Sequence, residues 1–136
     1  IHVFDVMSDR DFKGSLAIPG IWEYPMVDLA GSRAYVAAGS PGLIIIDIGD
    51  QNNPTKVGTY ATQGGANNIS VTTQFAFVFD LQNGLLVLDL TEDPDNPTLI
   101  GSNPDIQAKF FSAYGNYFYG VNYNTSELYV VDLVPE

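Results

Sequence analysis

The chain has no cysteine, a single histidine and a single tryptophan, and only five lysines and arginines against sixteen aspartates and glutamates. Each shortage excludes a class of chemistry. Without cysteine there are no disulfides, no thiol nucleophile and no thiolate metal ligand, although the redox compartment stays open. With His2 alone, a histidine-pair metal site cannot be built, and a Ser-His-Asp triad would have to use that one ring. The cations Arg10, Lys13, Arg33, Lys56 and Lys109 are scattered along a chain of net charge −11, so phosphate backbones are repelled and no nucleic-acid partner is expected. The longest aliphatic run, "LIII" at residues 43–46, is strand-sized, whereas a membrane helix needs roughly 20 apolar residues, so no span is expected. The sequence opens on Ile1 with no charged-then-apolar leader, so any export signal is expected to have been removed or to lie outside it.

What the chain does have is repetition. "GLIIIDIGDQNNPTKVG" at residues 42–58 returns as "GLLVLDLTEDPDNPTLIG" at residues 84–101. Asp5, Asp47, Asp89 and Asp132 each close an apolar run, at steps of 42, 42 and 43. "AYVAA", "AFVFD" and "FYGVN" begin at Ala34, Ala76 and Phe118, again 42 apart, and the pairs "GS", "TQ" and "GN" just before them keep the same step. A repeat of this length signals stacked supersecondary units.

Each unit holds four short segments rich in β-branched and aromatic residues and punctuated by Gly, Asn, Asp and Pro, here termed A to D. In the second full unit they are "NISVTT" (68–73), "QFAFVFD" (74–80), "LLVLDL" (85–90) and "PTLIGS" (97–102). Turns such as "YGNY" suit two-residue hairpins in which Gly or Asn supplies a positive φ. The C segments are apolar at successive positions, which requires cover on both sheet faces. That is the situation of a blade between two neighbouring blades. The fold class is therefore all-β, a β-propeller segment of about three four-stranded blades. A β-sandwich, the competing architecture, would alternate polar and apolar positions without a strict period.

The apolar run ending in Asp, the polar turn, the Asn-Pro and the Gly-bearing strand resemble the LVIVD repeats of bacterial and archaeal β-propellers. The resemblance is strongest in the two quoted units. "DVMSDRDFKGS" is shorter and lacks Asn-Pro, and the last unit stops after "LYVVDLVPE". The resemblance implies a propeller, often on cell-surface or exported proteins, and no common reaction. One domain is expected over residues 1–136, with repeats near 1–42, 43–84 and 85–127 and a partial one at 128–136. The segments number thirteen, ordered C-D, A-B-C-D twice, then A-B-C. The rest of the ring is thus expected from flanking sequence or another chain.

The recurrent aspartates invite a catalytic reading, but each precedes a polar turn whose backbone N–H groups a carboxylate can accept. The acidic turn "EDPDN" at residues 92–96 lacks the glycine and distal glutamate of a calcium loop and is read as solvated. No two acids stand out as a glycosidase pair. No catalytic residue, metal site or cofactor is assigned. The sequons "NIS" at Asn68 and "NTS" at Asn124 matter only in a glycosylating host.

In a propeller, A–B turns and C–D loops share one face, and D–A and B–C loops share the other. The first set repeats here; the second diverges, as "PGIWEYP", "QGGANN" and "DIQAKF" show. Recognition is carried by variable loops on a regular scaffold. Trp22 and Tyr24 are the candidate anchors, with Gln63, Asn67, Asn68, Gln107 and Lys109 as polar partners. The bland alternative for Trp22 is a plug between blades. The expected function is non-catalytic binding of a protein or glycan. The competing reading is a hydrolase or lyase whose catalytic residues lie in other blades. Few lysines, strong acidity and abundant Asn, Gly, Thr and Tyr suit a secreted or cell-surface protein. Asp95→Ala, in the acidic turn, is expected to be nearly neutral. Ile45→Asp, which puts an unpaired charge in a doubly covered strand, is expected to abolish the cooperative thermal transition in circular dichroism, and an unchanged melting curve would refute the two-faced burial.

Overall fold

A computed structural model describes residues 2–4, 12–122 and 124–133, with side chains from residue 13 onward. Thirteen strands and no helix are found among them, so no helix is long and apolar enough to cross a membrane. β1 (His2–Phe4) pairs with β2 (Phe12–Ser15). β3 (Met26–Ala30), β4 (Arg33–Ala37), β5 (Leu43–Asp47) and β6 (Thr55–Tyr60) form one four-stranded sheet. β7 (Ala66–Val71), β8 (Phe75–Asp80), β9 (Gly84–Asp89) and β10 (Thr98–Asn103) form a second. β11 (Phe110–Tyr114), β12 (Tyr117–Asn122) and β13 (Glu127–Asp132) form a three-stranded sheet. Every pairing is antiparallel and joins strands consecutive in sequence. The observed grouping is therefore C-D, A-B-C-D, A-B-C-D and A-B-C, as the repeat demands.

The turns follow from their residues. Two-residue loops join β3 to β4 and β11 to β12, since Ala30 pairs with Arg33 and Tyr114 with Tyr117. Gly31 and Gly115, first in each loop, take φ of 57° and 58°, which a side chain would oppose. At the equivalent place in the second full sheet the Thr72 hydroxyl accepts from the N–H groups of Gln74 and Phe75 instead. The strand that begins at Asn68 by sequence starts at Ala66, because a bulge beside Asn67 extends it by two residues. Ala66 also exchanges backbone hydrogen bonds with Gly39 of the preceding sheet, stitching the two together.

The core lies between sheets. Tyr35, Leu43 and Ile45 from one side meet Ile69, Val78 and Leu88 from the next sheet. One layer on, Phe77, Leu85 and Val87 meet Ala108, Phe118, Phe111 and Val131. Leu16, Ile18 and Ile21 cover part of the other face of the first full sheet, over Ala34, Val36, Ile44 and Ile46. Consecutive residues of β5 and of β9 are consequently buried on opposite faces. β13 departs from this expectation. Its side chains alternate, because nothing packs beyond the outer face of its sheet among the described residues.

A glycine in the D strand explains one fixed letter of the repeat. A Cβ on Gly58 would lie 1.9 Å from the carbonyl oxygen of Asp95, in the C–D loop of the following sheet, and one on Gly14 would lie 2.7 Å from that of Asn52. The D strand must be bare where the next loop docks on it. The Phe118 ring, fully buried, sits between Phe77 and Phe111 at centroid distances of 5.6 and 5.0 Å. Phe118→Ala should lower stability by about 3–5 kcal/mol in urea titration, and a loss below about 1 kcal/mol would contradict a tightly packed interlayer.

Candidate functional site

The scaffold face of the molecule is tied by repeated bonds. Ile48, Leu90 and Leu133, each just past a C strand, donate their N–H groups to the carbonyls of Ser32, Gln74 and Asn116 in the A–B turns. Asp47 accepts from the Gly49 N–H at 2.7 Å, and Asp89 from the Thr91 N–H and hydroxyl at 2.7 and 2.6 Å, so these two recurrent aspartates cap turns. Hydrogen bonding to Thr91 holds the Asp89 carboxyl below the usual carboxylate range. Asp5 lies outside the described residues.

On this face the acidic turn carries a correction. Asp95 is not merely solvated: it receives Arg33 Nε and Nη2 at 2.5 and 3.0 Å, while Arg33 Nη1 reaches Asp47 at 2.8 Å. One guanidinium thus joins two sheets through two carboxylates, and the Tyr35 hydroxyl adds a bond to the Pro94 carbonyl. The hydrogen bond from Arg33 lowers the Asp95 carboxyl below its ordinary value. Among the described residues no three of His, Asp and Glu converge as metal ligands.

The opposite face is organised by a buried acid that the repeat pattern did not single out. Asp80, at the end of β8, is fully buried and accepts from the N–H groups of Gly64, Gln82 and Asn83 and from the Asn83 amide. Burial pushes its carboxyl up, but these four bonds together outweigh it and hold the group below the usual range. One carboxylate therefore fixes a D–A loop and a B–C turn at once. Asn122, one repeat later, plays a smaller version, accepting from the Asn124 N–H and donating to the Tyr129 hydroxyl. The shared 42-residue step of Asp80 and Asn122 was the available signal.

Against this frame the candidate residues sort into two groups. Trp22 lies flat over a bare seam between sheets: a Cβ on Gly39 would fall 2.1 Å from its ring and one on Gly65 2.6 Å. The backbone N–H of Trp22 donates to the Ala38 carbonyl at 3.2 Å, yet 36% of the residue is exposed. It is both pinned and partly open. Tyr24 projects freely at 79% exposure, and Gln63 is exposed. Gln63 also borders a cleft of about 200 Å³ shared with Tyr60, Thr62, Asn83, Leu86 and Ser102. The Thr62 hydroxyl there is buried without a hydrogen-bond partner.

Asn68 is different. It is buried, its Nδ2 donates to the Lys109 carbonyl at 2.5 Å, and its Oδ1 accepts from the Ile69 N–H. That amide holds consecutive D–A loops together and does not face solvent. Gln107 turns its amide back onto the Pro104 carbonyl at 2.7 Å, Lys109 is exposed, and Asn67 sits half-buried in the bulge. The loops around Trp22, Gly65, Asn68 and Lys109 thus form a continuous strip across the sheets.

The LVIVD repeat matches residues 26–62 and 63–104, units that frame the two complete four-stranded sheets. The chain belongs to the LVIVD repeat family. Within that family frame, the propeller-type stacking of the sheets follows from the repeat itself. No curated protein matches the chain to a significant degree.

Asp95→Ala should cost about 1 kcal/mol of stability at pH 7, the upper range for a partly exposed ion pair. Because the folded-state value is lowered, this contribution is present at neutral pH and lost as pH falls from about 4 through the folded value. Wild type and variant should therefore converge in denaturant stability under acid. A gap that persists at low pH would remove the ion pair as its cause.

Proposed function

We propose that this LVIVD-repeat chain is a non-catalytic recognition segment of a secreted or cell-surface protein, binding a protein or glycan partner through its divergent D–A and B–C loops. The observation that carries this reading is the setting of Trp22. An indole clamped over Gly39 and Gly65 loses little conformational freedom on binding, yet the residue is 36% exposed, close in sequence to the exposed Tyr24. Rigid, partly exposed aromatics are the residue types that dominate interface energies.

The supporting residues on the same face are Gln63 at its cleft, Asn67 and Lys109. Asn68 and Gln107 serve by holding the loops in shape, since their amides are committed to backbone carbonyls. The secreted or surface setting is supported by composition alone: few lysines and strong acidity. Pull-down from extracellular material and a glycan array, followed by affinity measurement on single variants, test the proposal. Trp22→Ala and Tyr24→Ala should each weaken binding by about 2 kcal/mol or more. Changes at Asn52 and Asn53, on the opposite face, should leave it unaltered. Folded fraction is measured in parallel, because Trp22 also packs on the glycine seam. Equal loss from both faces, or loss only in proportion to unfolding, would leave a purely structural role.

A further inference from the structure

The loops that leave successive D strands differ in chemistry. Two residues past Gly14 the chain reads "LAIPGI" (16–21), and two residues past Gly58 it reads "YATQGG" (60–65). In the first, Leu16, Ile18 and Ile21 pack over Ile44 and its buried neighbours. In the second, Tyr60, Thr62 and Gln63 border the cleft of about 200 Å³, whose other wall is Asn83, Leu86 and Ser102 of the following sheet. Leu86 is the equivalent of Ile44 one repeat on, and Asn83 stands where the preceding B–C loop has Pro41. One seam is packed with aliphatic side chains, and the next is open and bordered by amides and hydroxyls.

Thr62 takes the place of Ile18 in this comparison. It is only 8% exposed, and its hydroxyl has no hydrogen-bond partner. A buried unpaired hydroxyl costs stability that an isoleucine would not. The Gln63 amide, the Tyr60 and Ser102 hydroxyls and Asn83 Oδ1 likewise make no hydrogen bond among the described residues. These groups are nevertheless held in place. Asn83 Nδ2 donates to Asp80 at 2.9 Å, and Asp80 also accepts from the N–H of Gly64, next to Gln63, so one buried carboxylate sets the spacing of the two walls. Polar groups that are positioned in advance lose little freedom when a ligand engages them.

The lining selects the ligand class. Every side chain around the cleft is uncharged, in a chain of net charge −11. Hydroxyls and amides both donate and accept, which matches a ligand whose own groups are hydroxyls. The Tyr60 ring with Leu86 and Leu99 adds apolar surface for carbon-bound hydrogens. The volume lies below the roughly 300 Å³ at which sites for drug-sized ligands begin, which leaves room for one ring. We propose that this cleft is the subsite for a single uncharged pyranose residue of a glycan. Gln63, Asn83 and Ser102 bond its hydroxyls, and the Thr62 hydroxyl, turned about χ1 from one staggered well to another, bonds the one that enters deepest. The inference rests on the reading that the divergent loops recognise a partner, and narrows that partner to a glycan.

The test follows backbone amide chemical shifts of the isotope-labelled protein during titration with the methyl glycosides of glucose, galactose, mannose and N-acetylglucosamine. At least one should move the Thr62, Gln63, Asn83 and Ser102 signals with a Kd of about 1–10 mM, and methyl glucuronide, which adds a carboxylate, should bind more weakly than its glucose counterpart. Thr62→Val keeps the side-chain shape and removes the unpaired hydroxyl, so it should hold or raise the melting temperature while weakening the sugar about fivefold. Gln63→Ala, at an exposed position, should weaken it by a similar factor. Silence of all four glycosides up to about 50 mM overturns the proposal, as does wild-type affinity in Thr62→Val and Gln63→Ala or equal binding of the glucuronide. Shifts confined to Trp22 and Tyr24 would overturn the subsite and leave the loop-face reading standing. Binding in the cleft, with partner affinity untouched by Trp22→Ala and Tyr24→Ala, would sustain the subsite and remove the aromatic anchors.

Discussion

The burial of both faces of each central sheet is the constraint on which everything else rests. A strand such as β5, with Ile44 and Ile46 on one side and Leu43 and Ile45 on the other, cannot leave either side in water. Apolar surface removed from water contributes roughly 25 cal/mol per Å², and these sheets collect that contribution twice. The demand propagates: a sheet covered on one face needs a neighbour on the other, and the neighbour inherits the need. Repetition is the cheapest way for a sequence to meet it, since one pattern then supplies both partners of every interface.

Polar groups are fitted to that stacking. Asp28 and Ser70 bridge inner strands of consecutive sheets, Arg33 bridges two carboxylates across the outer seam, and Gly58 stays bare so that the next C–D loop can touch the backbone. On the divergent face Asp80 carries four hydrogen bonds and fixes the loops that surround Trp22. The scaffold is thus rigid where a variable surface needs support. Loops positioned by such a frame are free to change side chains without changing shape.

The two ends of the stack differ from its middle for the same physical reason. Tyr119 and Val130 are as apolar as Tyr35 and Ile45 and occupy the same register, yet they are open because no sheet lies against them among the described residues. Exposure here is a property of position in the stack and not of residue type.

The sequence by itself determined the strands, their order and their grouping into sheets, because a period of 42 and a two-residue alternation of faces leave little freedom in register. It also determined the turn-capping role of Asp47 and Asp89, a bond that closes within two residues. Only the tertiary structure decided the rest. Asp95 reads as a solvated turn residue until a guanidinium 62 positions away is brought to it. Asn68 reads as a loop amide until the Lys109 carbonyl, 41 positions on, consumes it. Trp22 reads equally as anchor or plug until two glycines from separate segments, Gly39 and Gly65, are seen beneath its ring. Local chemistry is written in neighbouring letters. A partner one repeat away is fixed by how the sheets stack, and no spacing rule tells which of many equivalent side chains will meet.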